Sequence, residues 1–238
     1  MRLTADLLLQ APSYLNPVND RELNLRGHKI AVIENLGVTR DQNDALDLTD
    51  NDIRIFGPFP KLIRLKSIFA SRNRVTALHP TISASIPNLN TLVLSSNNIT
   101  ELSDLTALMG LKKLEFITLV DNPVVEKENY RLWILWLCPC IRYLDFQKVK
   151  DVERKRAAAI FGTALEPSNL SKSILGIKNN IFDVRVGADN GIDGDQGKRE
   201  LTRKLTEEEI ENLRESLKNA TSLEEISRIE KTLKLGHF

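Results

Sequence analysis

The chain has 238 residues, 42% hydrophobic and 27% charged, with 33 Lys and Arg against 32 Asp and Glu for a net charge of +1. That length allows one extended core with some additional tail, and the charge balance argues against a surface given over as a whole to nucleic acid or membrane. No apolar run approaches the ~18 residues of a membrane span, and the apolar stretch of MRLTADLLLQAP is too short for a secretory signal. The two cysteines, Cys138 and Cys140, sit in C-P-C, the spacing of neither a redox pair nor half a zinc site, so buried reduced thiols in an intracellular protein are expected.

In chain order, residues 1–20 read as an N-terminal cap. Thr4 is placed to N-cap a short helix that carries Leu7 and Leu8 and stops before Pro12. Its role is to cover the open end of the first repeat, because a bare edge strand invites pairing with other chains. From residue 21 onward a phrase recurs. Leu89, Leu92, Leu94, Asn97 and Ile99 have the same spacing as Leu114, Ile117, Leu119, Asn122 and Val124, which is the leucine-rich repeat pattern L-x-x-L-x-L-x-x-N-x-L.

Alignment on the asparagine extends the series both ways. Leu65, Ile68, Asn73 and Val75 form a copy in which Ala70 replaces the second strand leucine, and Leu46, Leu48, Asn51 and Ile53 form another. A first copy has Leu23, Leu25 and Ile30 with His28 in the asparagine slot, and a last copy has Ile141, Leu144 and Phe146 with Val149 there. Anchors at 28, 51, 73, 97, 122 and 149 are close to the roughly 20–29-residue period of this repeat class. In L-x-L the side chains alternate, so the leucines point into the stack and the x residues point out. The asparagine turns inward, where its amide must pair with backbone groups of the loops. The expected fold class is therefore α/β, a leucine-rich repeat solenoid with a curved parallel sheet on its concave side. Looser helical or irregular segments such as residues 103–113 lie on the convex side.

Beyond the repeats, Tyr130, Leu132, Trp133, Leu135, Trp136 and Leu137 predict a helix that closes the end of the core and stops at Pro139. Residues 148–161 predict a basic helix with Lys148, Lys150, Arg154, Lys155 and Arg156. Repeats and C-terminal cap together span 21–165. Residues 166–200, rich in Gly, Asn and Asp toward their end, read as a flexible linker. Thr206 with Glu209 and Ser222 with Glu225 make two capping boxes ahead of apolar residues at helical spacing, so 201–238 reads as a helical hairpin that docks onto a partner.

No phosphate loop, dinucleotide fingerprint, zinc-hydrolase or nucleophile-elbow motif is present, and His28, His79 and His237 are scattered through the chain. The reading is a non-catalytic binding module without cofactor or metal. Its binding surface follows from the period: Asn24 and Arg26, Asp47 and Thr49, Phe69 and Ser71, Val93 and Ser95, Phe116 and Thr118, Tyr143 and Asp145. The middle of that face is small and mildly apolar, which suits the side of a protein helix better than a phosphate backbone.

Residues 3–37, with RELNLRG and IENLG at fixed distances before the repeats, resemble the start of the U2 small nuclear ribonucleoprotein A-prime family. NYRLWILWLCPCIRYLDFQKVK resembles that family's cap, and NATSLEEISRIEKTL resembles its C-terminal segment more loosely. The resemblance implies a nuclear pre-mRNA splicing factor that forms a heterodimer with the B-double-prime protein, an RNA-recognition-motif subunit. The concave face grips a helix of that partner, and the pair binds stem-loop IV of U2 small nuclear RNA. Arg26, Lys148, Lys150 and Arg154 are then candidates for the RNA backbone, and the C-terminal hairpin for other spliceosomal proteins. A regulatory subunit of a protein phosphatase, built from similar repeats, is the rival, but its typical repeat is more uniform and lacks the RELNLRG opening.

Overall fold

The computed structural model describes residues 1–163 and 166–176. The expected hairpin at 201–238 and the expected linker beyond residue 176 lie outside the described residues. Helix α1 (Ala5–Gln10) opens the chain with the Thr4 hydroxyl accepting from Leu7 N–H, and buries Leu8. Strands β1 (Ser13–Leu15), β2 (Arg21–Asn24) and β3 (Ala45–Asp47) come next, then β4 (Ile55–Phe56), β5 (Ser67–Phe69) and β6 (Ala77–Leu78). A short helix α2 (Ile82–Ser85) precedes β7 (Thr91–Val93) and β8 (Phe116–Thr118). The chain then runs through α3 (Tyr130–Leu137), β9 (Tyr143–Leu144), β10 (Gln147–Lys148), α4 (Asp151–Phe161) and α5 (Asn169–Gly176).

The main sheet has eight strands in the order β1-β2-β3-β5-β7-β8-β9-β10. All neighbours from β2 to β9 are parallel, whereas β1 and β10 pair antiparallel at the two ends. The repeat register is as the sequence predicts. Leu23, Leu46, Ile68, Leu92, Ile117 and Leu144 are strand partners in series and are buried. A second row of Leu25, Leu48, Ala70, Leu94 and Leu119 and a third of Ile30, Ile53, Val75, Ile99 and Val124 are each fully buried. Behind the sheet, residues 102–110 form a 3-10 helix, and β4 pairs with β6 in a small second sheet.

Four asparagines tie these rows together. Asn51 donates to the carbonyls of Leu25 and Leu48, both at 2.9 Å, and accepts from Ile30 N–H at 2.9 Å. Asn73 does the same with Leu48, Ala70 and Ile53, Asn97 with Ala70, Leu94 and Val75, and Asn122 with Leu94, Leu119 and Ile99. Each amide therefore joins its own repeat to the preceding one and satisfies backbone groups that have no water available.

The ends depart from expectation in three places. The N-terminal cap contains a strand, β1, in addition to the helix. The last copy does not continue as a repeat: Asp145 and Phe146 both have positive φ, 51° and 63°, and turn the chain back as an antiparallel hairpin. Phe146 is thereby 80% exposed instead of occupying a core slot. Finally, residues 169–176 are helical where a linker was expected. There Ser171 is fully buried and its hydroxyl donates to Phe161 C=O at 2.9 Å, so this segment belongs to the cap. Trp133, Trp136 and Phe161 close the core with ring centroids 5.1–6.0 Å apart, and both indole N–H groups are satisfied, by the carbonyls of Leu102 and Gly162.

Asn97→Ala removes the amide's bonds to the carbonyls of Ala70, Leu94 and Ser95 and the one it accepts from Val75 N–H. It is expected to cost about 3 kcal/mol, since each buried group left unpaired costs roughly 1–3 kcal/mol. Leu94→Ala is expected to cost roughly 2–5 kcal/mol as a buried leucine truncation. Asn97→Asp retains the acceptor for Val75 but loses both donors, so urea unfolding should find it no more stable than the alanine variant.

Candidate protein-binding face

The outward residues of the parallel strands form two rows across the sheet. In the first, Tyr14, Glu22, Ala45, Ser67, Thr91, Phe116, Tyr143 and Lys148 are strand partners in series. In the second, Asn24, Asp47, Phe69, Val93 and Thr118 are aligned in the same way. Arg26, Thr49, Ser71 and Ser95 lie just past the strands. Most of the expected site residues therefore do share one face, because the parallel register brings equivalent positions of successive repeats into line at the ~4.8 Å strand spacing.

The face changes character along the stack. At the β2–β3 end it is acidic and pre-set by hydrogen bonds. Glu22 accepts from Tyr14 Oη at 3.0 Å and Asn16 Nδ2 at 3.2 Å, and Asp47 Oδ1 accepts from Thr49 N–H at 2.8 Å. The Glu22 carboxylate raises the pKa of the Tyr14 phenol and keeps it protonated as that donor. Toward the other end the surface is apolar. Phe69 and Val93 are half-buried, and Phe116 and Tyr143 stack with centroids 5.2 Å apart and planes inclined by 3°. Phe116 and Tyr143 remain 39% and 38% exposed, an aromatic platform with no covering from the described residues. Thr118 lies in its expected row but is buried, so it presents little to a partner.

Asp145 does not belong to this face. The chain turns away at that residue, and its carboxylate takes the place of the next strand's backbone: Oδ1 accepts from Leu119 N–H at 2.7 Å and Oδ2 from Tyr130 Oη at 2.9 Å. In the earlier repeats the equivalent N–H groups of Leu25, Leu48, Ala70 and Leu94 donate instead to main-chain carbonyls of Asp47, Phe69, Val93 and Thr118. Burial and the contact with Asp145 together push the Tyr130 phenol far above its usual pKa.

The expected basic contacts divide. Lys148 and Lys150 are exposed near the end of the sheet, and α4 starts at Asp151, after both lysines and not at residue 148. Arg154 is occupied, its guanidinium donating to Pro139 C=O and, at 2.6 Å, to Ile141 C=O. Arg26 lies just past β2, six strand intervals from β10, which is roughly 29 Å at ~4.8 Å per interval. The four residues do not form one patch. Tyr14 is the face residue that sequence reasoning missed, because three residues of β1 between Pro12 and Pro17 carry too little alternation to be read as a strand.

A leucine-rich repeat family model matches residues 1–175. The chain is 51% identical over 239 residues to the U2 small nuclear ribonucleoprotein A′ of Neurospora crassa, covering 100% of this chain and 94% of that protein. It is 41% identical to the protein of that name from Schizosaccharomyces pombe, covering 99% and 98% of the two chains. The mouse protein is 39% identical, with coverage of 100% and 89%. Among solved structures, the Drosophila melanogaster SNF/U2A′ complex contains a chain that is 45% identical and superposes with a TM-score of 0.66, covering 69% of this chain and 95% of that one.

The two kinds of site residue separate by stability. Asp145→Ala strips partners from a buried amide and a phenol and is expected to cost about 2 kcal/mol. Tyr143→Ala is expected to change stability far less. Thermal melts of the two variants, read side by side, check the assignment.

Proposed function

Because the chain belongs to the U2 small nuclear ribonucleoprotein A′ family, as a splicing subunit of that particle, we propose that it grips a helix of an RNA-recognition-motif partner of the B-double-prime type on its open sheet face. The heterodimer, in the nucleus, then binds stem-loop IV of U2 small nuclear RNA. The observation that carries this reading is the aligned apolar strip of Phe69, Val93, Phe116 and Tyr143 beside the acidic pair Glu22 and Asp47. A partner helix suited to it has an apolar stripe at i, i+3, i+4 and i+7 with basic residues at the end that meets Glu22 and Asp47.

In this reading the scaffold chiefly contacts protein, and bases are read by the partner's sheet, which supplies the aromatic stacking that single-stranded RNA requires. Lys148, adjacent to Tyr143 on the face, and Lys150 are positioned to add backbone contacts, so removing both should weaken the ternary complex and lower its salt dependence.

A gel-shift titration with stem-loop IV RNA tests the scheme. The expected result is weak binding by this chain alone and a tight, specific complex when the RNA-recognition-motif partner is added. Tight, specific binding by this chain alone would place the RNA-reading surface here and not on the partner, and overturn the scheme. Phe69→Asp and Phe116→Asp should each abolish partner binding while circular dichroism and melting temperature stay close to the parent, since both side chains face away from the core. Unchanged affinity in both variants would remove the apolar strip from the interface.

A further inference from the structure

The loops that lead into the strands form a second feature, separate from the open face. They line a groove of about 980 Å³ that crosses from the start of β3 to the start of β9. Its cations are Arg64, Lys66, Lys112, Lys113 and Arg142, and Ile63 stands among them 51% exposed.

Two carboxylates also line the groove, but they lie deeper than the cations. Asp44, whose side chain is 8% exposed, accepts a two-point contact from Arg64 at 2.9 and 3.1 Å and lies 3.2 Å from Lys66. The Arg64 hydrogen bonds, with those of Arg21 N–H and Lys66, hold its carboxyl well below the usual range despite burial. Glu115 lies 3.6 Å from Arg142. Arg64, Lys66 and Arg142 keep 54–69% of their side chains exposed above these acids, so an approaching ligand meets cations already held in place.

We propose that this groove docks an acidic polypeptide segment of a protein partner, one with carboxylates around an aliphatic residue, independently of whatever occupies the open face. Three observations favour polypeptide over nucleic acid. Among the described residues, no aromatic side chain lines the groove to stack a base. Asp44 and Glu115 interrupt the floor that a continuous phosphate backbone would track, whereas a peptide can place its carboxylates at intervals. Ile63 is an exposed aliphatic side chain among the cations, and the stems of the lysines and arginines offer further apolar surface, which favours an apolar anchor.

Cys140 lines the same groove and is its natural reporter, because Cys138 is buried whereas Cys140 is only partly so. The experiment tracks iodoacetamide labelling of Cys140 on the full chain by mass spectrometry. The probes are the peptide acetyl-Glu-Asp-Leu-Glu-Asp-Glu-amide, its Gln/Asn counterpart and a short oligouridylate. The acidic peptide is expected to slow labelling several-fold at low ionic strength, with the protection fading as salt is raised. The uncharged peptide should give none. The Lys112→Glu/Lys113→Glu variant should lose the protection while still binding the RNA-recognition-motif partner, which separates this groove from the open face. Protection by the oligouridylate but not by the acidic peptide would make the groove a phosphate site and overturn the proposal, as would protection by neither.

Discussion

A parallel sheet built from short strands leaves backbone groups unpaired wherever a strand ends and its loop begins, and the rest of this structure depends on how those groups are satisfied. The amides of Asn51, Asn73, Asn97 and Asn122 meet the need from inside, each bonding carbonyls of two repeats and one N–H of the earlier repeat. Since an amide has both a donor and an acceptor, one side chain does what neither an acid nor an apolar residue can. The bridge also fixes the rotation of each repeat relative to its neighbour. The open face shares the sheet's backbone bonds across repeats, at the carbonyls of Asp47, Phe69, Val93 and Thr118, and with them this interior ladder holds its side chains in line.

The same constraint explains why the two end copies lack the asparagine. The first parallel repeat has no earlier repeat to bridge, so His28 can stand in the slot while β1 pairs antiparallel on its outer side. At the far end the main chain stops supplying carbonyls, and the Asp145 side chain accepts from Leu119 N–H where a backbone carbonyl would otherwise do so. This turns a residue of the repeat pattern into a terminator. The positive φ values at Asp145 and Phe146 complete a two-residue hairpin whose twist matches the strands it joins.

These details mark how far the sequence could be read. Buried rows were legible because burial on one face imposes a period of two on each strand and a near-constant interval between strands. Even Ala70, too small for its slot, kept its place because the surrounding pattern held. Phe146 was misread for the same reason: it stands where a leucine belongs, and nothing in residue type signals that its backbone turns left-handed. Arg154 reads as free charge in sequence, yet it caps carbonyls of Pro139 and Ile141 that lie fifteen and thirteen residues away. The role of Asp44 is equally hidden, since its partners Arg64 and Lys66 come from the next repeat. Period reveals which way a side chain points; it does not reveal which polar groups are already engaged.

The open face and the loop groove draw on different positions of one repeat. The face uses residues that alternate with the strand leucines, such as Phe69 and Val93, whereas the groove uses residues just before the strand, such as Lys66 and Arg142. Neither set contributes to the leucine rows or to the asparagine ladder. A solenoid of this kind therefore holds two chemically distinct surfaces on one rigid spacing, one apolar and aromatic, the other basic over a buried and a partly buried acid. Because their residues do not overlap, charge can be rearranged along the groove without disturbing the apolar strip, and a helix can be seated on the strip without neutralising the groove. Two partners of opposite chemistry can thus be held at a fixed separation set by the strand itself, which is the physical sense in which such a chain acts as a scaffold.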